Sequence, residues 1–283
     1  MAQRTSPTER QRRLGAELRK ARVAAGVSAE SAAGLLGVDR GKISAIESGT
    51  RAISEERLRT LMCHCDCADE AYVHELVRMA APKRRGWWER YRGLLSAAVL
   101  DIAELEAHAV RVRHSHTVHI PGLLQTSDHA LAVFRCVLPA LPEHEVAMRL
   151  AHRLERQQVL EGVGAPQYTG VVHEAALRMR FGGPEVVRAQ LEYLLHMTDR
   201  DNVVLRVLPF TAGGFPGAGH TVNYVESRVP QLDTVQLDSN HGPEFLHGES
   251  QLAKYRAHLD VLEKLSLSPA RSRDFIRDLA RHL

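Results

Sequence analysis

The stretch Gly37-Val-Asp-Arg-Gly-Lys-Ile-Ser-Ala-Ile-Glu-Ser-Gly49 decides how the N-terminal part of this chain is built. Gly37 ends one helix and Asp39 caps the next, which places Ile43 and Ile46 on a buried face and stops at Gly49. Upstream, Leu14, Leu18, Ala21 and Ala25 recur at helical spacing until Gly26 stops them. Ser28 caps a short second helix with Ala32, Ala33 and Leu36 inward, and Val38 plugs the turn. Two short helices joined by a turn of three or four residues present the second one to a DNA major groove.

Charge agrees with that geometry. Residues 1–60 hold 12 Lys+Arg against 7 Asp+Glu, a balance of +5, although the whole chain carries 37 against 34. The cations are therefore concentrated at this end, including Arg10, Arg12 and Arg13, which are expected to contact DNA as a basic tail. Clustered cations release counterions from phosphate and make binding salt-dependent.

Residues 14–65 resemble the lambda-repressor-like, XRE-type helix-turn-helix family. The resemblance implies that the third helix reads DNA, with Arg40, Gly41 and Ala45 facing base edges and Lys42 and Ser44 nearer the backbone. Asp39, Ser28 and Arg51 complete the expected DNA-facing set. An arginine at position 40 reaches both acceptors of a guanine, whereas Lys42 suits a phosphate. Arg22 and Glu47 match an internal ion pair of the family, so Glu47 reads as structural. Ala29 stands where the family often has Gln, which removes one polar contact.

A 283-residue chain exceeds the roughly 60–70 residues of one such module and calls for two domains. No apolar run approaches the ~18–20 residues of a membrane span, and residues 1–15 are polar, so a cytoplasmic protein with no membrane association is expected. In that compartment Cys63, Cys65, Cys67 and Cys136 stay reduced.

Ser54 caps a fourth helix through Leu58, Leu61 and Met62, and a fifth runs from about 70 to 80. Residues 82–86 (Pro-Lys-Arg-Arg-Gly) break the pattern, which divides the chain into a helix-turn-helix domain, 1–81, and a regulatory and dimerisation domain, 82–283. Trp87, Trp88 and Tyr91 follow and are expected to dock the second domain. Helices are predicted over 97–112, 127–136, 142–160, 184–197, 252–265 and 269–283, and short β-branched strands over 168–173, 203–208, 220–226 and 234–237. The fold class is mainly α and α+β: an all-α N-terminal domain, then helices with a small mixed or antiparallel sheet.

Chemistry-bearing patterns are few. Thr211–Gly219 is glycine-rich but lacks the P-loop Lys-Ser/Thr and the dinucleotide spacing. His173 and Glu174 fall on opposite faces of a strand end, so they do not form an acid–base pair. Cys63-His-Cys-Asp-Cys67 has soft ligands for zinc or copper(I), but the spacing is too tight and no second pair follows. With 16 histidines present, His114-Ser-His-Thr-Val-His119 and His241-x-x-Glu-x-x-His247 read as surface positions. The expectation is no catalysis, no metal and no cofactor.

A second resemblance covers about 83–283. Gly86-Trp-Trp-Glu-Arg-Tyr91, Ile120-Pro-Gly-Leu-Leu-Gln-Thr126, Glu174-Ala-Ala-Leu-Arg178, Gly182-Gly-Pro-Glu185, Val207-Leu-Pro-Phe210 and Leu267-Ser-Pro269 resemble the domain that follows an XRE-type head in WhiJ-type actinobacterial, Streptomyces-like regulators. It implies a transcription factor, a repressor here, paired with a small acidic partner protein, and some pairs are antitoxin–toxin-like. Ser227–Glu249 departs from the usual pattern. A homodimer is expected, because one short helix reads too few bases. If the signal is a metabolite instead, Trp87, Trp88, Phe210, Phe215 and Tyr224 are the candidate pocket walls.

Overall fold

The computed structural model describes residues 6–81, 86–217, 220–239 and 242–283. The breaker 82–85, the glycine-rich loop's 218–219 and position 241 lie outside the described residues. The chain divides into two compact units, Met1–Leu105 and Glu106–Leu283.

Five helices open the first unit: α1 (Glu9–Ala24), α2 (Ala29–Leu36), α3 (Arg40–Glu47), α4 (Glu55–His64) and α5 (Glu70–Ala80). Each starts at a side-chain cap, in turn Thr8, Ser28, Asp39, Ser54 and Asp69, whose oxygen accepts a backbone N–H of the first turn. Such caps contribute about 1 kcal/mol apiece and fix where each helix begins. Gly37 closes α2 at φ +61°, a left-handed conformation that glycine adopts without strain. Leu18, Ala32, Ile43, Leu58, Met62 and Leu76 form the fully buried centre of this bundle.

The tandem tryptophans belong to this unit and not to the next. A 3₁₀ turn, Trp87–Tyr91, packs Trp88 on Leu100 and Ala103 of α6 (Ala97–Glu106). Asp101 of α6 accepts the Glu9 backbone N–H at 3.0 Å and pairs with Arg12 at 3.1 Å. The division thus falls near residue 105 instead of 81, because aromatic burial and the start of α1 hold 87–105 to the head.

The second unit is built on one six-stranded mixed sheet, order β3-β2-β1-β4-β5-β6. The strands are β1 (Arg111–His116), β2 (Gln167–His173), β3 (Val203–Leu208), β4 (Val222–Glu226), β5 (Thr234–Leu237) and β6 (Glu244–Leu246). β1 pairs parallel with β2 and antiparallel with β4, so the direction of pairing reverses at the central strand. The helices are α7 (Ser127–Arg135), α8 (Glu143–Gln157), α9 (Glu174–Arg178), α10 (Pro184–Met197), α11 (Glu249–Leu265) and α12 (Pro269–Arg281). Val112, Tyr168, Val172, Leu205 and Val207 pack on one side with Leu191 of α10 and Ile276 of α12. On the other side, Val222, Tyr224 and Val235 pack with Leu252 and Leu259 of α11.

Two strands differ from expectation. Residues 111–112, predicted as the end of a helix, begin the central strand, and β6 was not anticipated. β1 has a single apolar residue, Val112, so it carries no strand signature, yet positions 112–116 are all buried. Its charge is neutralised from afar: Arg113 meets Asp260 at 2.7 Å and Glu263 at 2.6 Å on α11. His114 and His116, read as surface histidines, are buried at 2% and 8% exposure.

Candidate nucleic-acid interface

Ile43 and Ile46 fill the bundle interior, at 2% and 6% exposure, and thereby set how α3 is turned. The helical period then leaves Arg40, Gly41 and Ser44 exposed, with Lys42 and Ala45 half-buried beside them. The expected reading face is thus assembled on one side of α3. Among the described residues the Arg40 side chain has neither a hydrogen bond nor an ion pair, so its five donors are uncommitted.

Lys42 is differently placed. Asp39 caps α3 by accepting the Lys42 backbone N–H at 2.8 Å, and the Lys42 ammonium folds back to the same carboxylate at 2.9 Å. These hydrogen bonds with Lys42 hold the Asp39 carboxyl below its ordinary pKa. An exposed pair of this kind is worth only ~0–1 kcal/mol, so a phosphate can displace it readily. Ser28 is an N-cap, its hydroxyl accepting the Ser31 N–H at 3.0 Å, and Arg51 is exposed just beyond α3.

Two contacts fix α3 against α1. Arg22 holds Glu47 with a bidentate pair of 2.5 and 3.0 Å, and its third nitrogen donates to the Val27 carbonyl at 2.7 Å. Glu47 is therefore a strut, as the resemblance implied. Gly15 lets the two helices touch: a Cβ there would lie 2.6 Å from the Ile46 carbonyl oxygen.

The arginines of α1 do not form the expected tail. Arg13 is buried and bonded to Glu17 at 2.8 Å, and Glu17 also accepts the Tyr72 hydroxyl at 2.6 Å. Arg12 is held by Glu9 and Asp101, and Arg10 donates to the Arg78 carbonyl. Because α1 begins at Glu9 rather than near Leu14, helical periodicity turns Arg13 inward, while Arg12 stays exposed but tied to its carboxylates.

The five aromatic candidates are divided between the two units. Trp87 and Trp88 lie in the first unit, where Trp88 helps line a cavity of about 490 Å³ with Arg51 and Leu14. Phe210 is 58% exposed and meets His173 edge-on at 5.0 Å, with Phe215 5.3 Å from the same ring. Tyr224 is fully buried under α11, donating to Asp233 at 2.8 Å and accepting from Arg256 at 2.9 Å. His173 and Glu174 are structural: His173 caps α9, and Glu174 accepts the Phe210 N–H at 3.0 Å. Cys63 is exposed with Cys65 and Cys67 half-buried, and among the described residues no three His, Cys, Asp or Glu side chains are grouped to hold a metal.

Residues 99–278 match the family described as Domain of unknown function (DUF5753), which is more than half of the chain. The chain belongs to the DUF5753 family. Residues 13–76 of this DUF5753 protein match the Helix-turn-helix domain, and that interval contains α2, α3 and the Arg22–Glu47 strut. A DNA-binding regulator is the function that this head carries. No curated protein and no solved structure matches the DUF5753 chain. No helix among its described residues is long and apolar enough to cross a membrane.

Sequence reasoning missed one group in the DUF5753 unit: the polar residues around the carboxyl end of β1, among them buried His116 and His129 and half-buried Arg153. Arg153 sits on the well-predicted helix α8, four residues before Gln157 and on the same side, but no sequence signal linked it to a strand polar enough to be read as helix and loop.

Proposed function

We propose that the DUF5753 protein is a sequence-specific, cytoplasmic transcriptional repressor of the WhiJ type. It binds duplex DNA as a homodimer, and its second unit receives a signal; it is not an enzyme. The observation that carries this reading is the outward face of α3, where Arg40 stands uncommitted beside Gly41 and Ser44 on a helix anchored by Ile43, Ile46 and Glu47. Two copies on a two-fold axis would read half-sites about one DNA turn apart, which supplies the specificity one short helix lacks. A signal changes operator affinity only if it binds two conformations unequally.

Two kinds of signal compete. Resemblance favours a small acidic partner protein. A small-molecule signal is favoured by the polar, cationic interior of the second unit. Selection of duplexes from a random pool, followed by anisotropy titration, tests the main reading. Enrichment of a two-fold symmetric motif supports it, and equal affinity for all duplexes refutes it.

A further inference from the structure

One face of the second unit's sheet is apolar under α10 and α12 but polar across β1, β4 and β5. Strand alternation and register place His114 and His116 on that face with Asn223, and Gln236 follows on β5. All four are at least nine-tenths buried. His116 ends β1, the strand where parallel pairing gives way to antiparallel pairing.

Three arginines of this unit, Arg113 buried and Arg153 and Arg156 half-buried, are not alike. Arg113 has two carboxylates, and Arg156 has a bidentate bond to Glu106 at 2.6 and 2.6 Å. Arg153, one turn before Arg156 on α8, has no carboxylate within ion-pair distance among the described residues; Asp238 attracts it only from farther off. Its guanidinium lies 4.2 Å from the centre of the Phe134 ring and donates to Gln125 Oε1 at 2.6 Å. Burial, reinforced by repulsion from Arg156, pushes it down to about 9, yet part of its surface stays open. Buried cations in folded proteins are normally paired.

Polar atoms nearby lack partners as well. His129, at 1% exposure, has two ring nitrogens with no hydrogen bond, and His114 Nε2 has none either. His129 and His119 stand against the same ring, Phe181, at 5.6 and 5.2 Å, and both are within electrostatic reach of Arg153. Desolvation holds His116 and His129 at about 4, so these rings are neutral near pH 7 and can donate or accept.

We propose that this compartment binds a small organic anion, a carboxylate or phosphate whose oxygens bridge the Arg153 guanidinium and whose polar body meets the rings of His129, His119 and His116. Arg153 supplies the forked donor that such oxyanions fit. The site itself stands apart from the regulator reading; that the anion is the regulator's signal rests on it.

The test is a thermal and calorimetric titration of the full chain at pH 7 and constant ionic strength, with inorganic phosphate and citrate as probes and chloride as reference. Both probes stabilise most proteins without binding, so the readout is the difference between the natural chain and R153M. A specific site raises the unfolding temperature by about 3 °C or more at ten times the dissociation constant. R153M is expected to lose that increment and bind at least about tenfold more weakly. R153Q is the second variant should R153M fail to fold. The probe that saturates at lower concentration distinguishes phosphate from carboxylate. Equal shifts in the natural chain and both variants, or no heat of binding with either probe, overturn the site. Anion binding that leaves duplex affinity unchanged keeps the site and removes its role as signal, and failure to bind any duplex removes the regulator while the site stands.

Discussion

Replacing Glu47 with Ala removes the strut between α1 and α3. Both side chains of the Arg22–Glu47 pair are only 10% exposed, so the variant leaves a guanidinium in a poorly hydrated place. Breaking a buried pair by deleting one partner costs about 3–5 kcal/mol. Arg22 keeps its bond to the Val27 carbonyl at 2.7 Å. That residual contact and the remaining exposure reduce the expected loss to roughly 2–3 kcal/mol. For a unit of this size each kcal/mol moves the midpoint by roughly 4–8 °C, so the first unit should melt roughly 10–20 °C earlier. Scanning calorimetry of the full chain measures this directly. The double variant R22M/E47L, which removes both charges, is expected to recover more than half of the loss. A drop below about 3 °C in E47A, or a double-variant loss equal to the sum of the single ones, would refute the strut.

Arg40→Ala is expected to weaken specific binding by about 1–3 kcal/mol while leaving non-specific duplex affinity nearly intact; equal losses on both contradict base reading. Lys42→Ala should lower affinity on all sequences and reduce the salt slope by about 1, and an unchanged slope in anisotropy titrations removes it from the phosphate contacts. A chain ended after Leu105 should keep the head's unfolding transition, whereas one ended after Ala81 loses Asp101 and the Trp88 cluster and melts at least ~5 °C lower by circular dichroism. Acid should destabilise the second unit. Burial holds His116, His129 and His152 at about 4, below the ordinary ~6.5, so unfolding takes up protons between those values. Stability is therefore full above about pH 6.5 and declines as pH falls toward 4, with a slope of up to ~4 kcal/mol per pH unit if all three contribute. Urea titrations from pH 7.5 to 4.5 that show no decline would contradict the burial of these rings.

The head was legible because its determinants are local. Ser28, Asp39 and Ser54 cap helices within three residues of themselves, and Ile43 and Ile46 set the outward face by period alone. α10 and β3 likewise fall at their expected limits, since each has a clean periodicity between breakers. β1 was illegible for the opposite reason. Arg113 is tolerated inside the sheet only because Asp260 and Glu263, some 150 positions later, neutralise it. The tethering of Arg12 and the burial of Arg13 depend in the same way on Asp101 and on Glu17 with Tyr72, partners that a tail-like reading of the first residues does not suggest. Where each aromatic candidate packs was not legible, because aromatic content does not report which core a ring joins.

β3 closes one margin of the sheet, and its sequence, Val203–Leu208, is the most hydrophobic of the six. Its free margin is capped from within the chain: the Val207 N–H donates to Ser272 Oγ at 2.9 Å, and the Val207 carbonyl accepts the Leu267 N–H at 2.9 Å. Loss of the chain from Leu267 onward, by proteolysis or by a stop codon ahead of it, would strip both blocking groups together with Ile276. An unprotected ribbon of valine and leucine would then be offered to other copies, and such ribbons template intermolecular stacking. The last helix thus doubles as a guard on solubility, and damage there should show as precipitation rather than as impaired operator affinity.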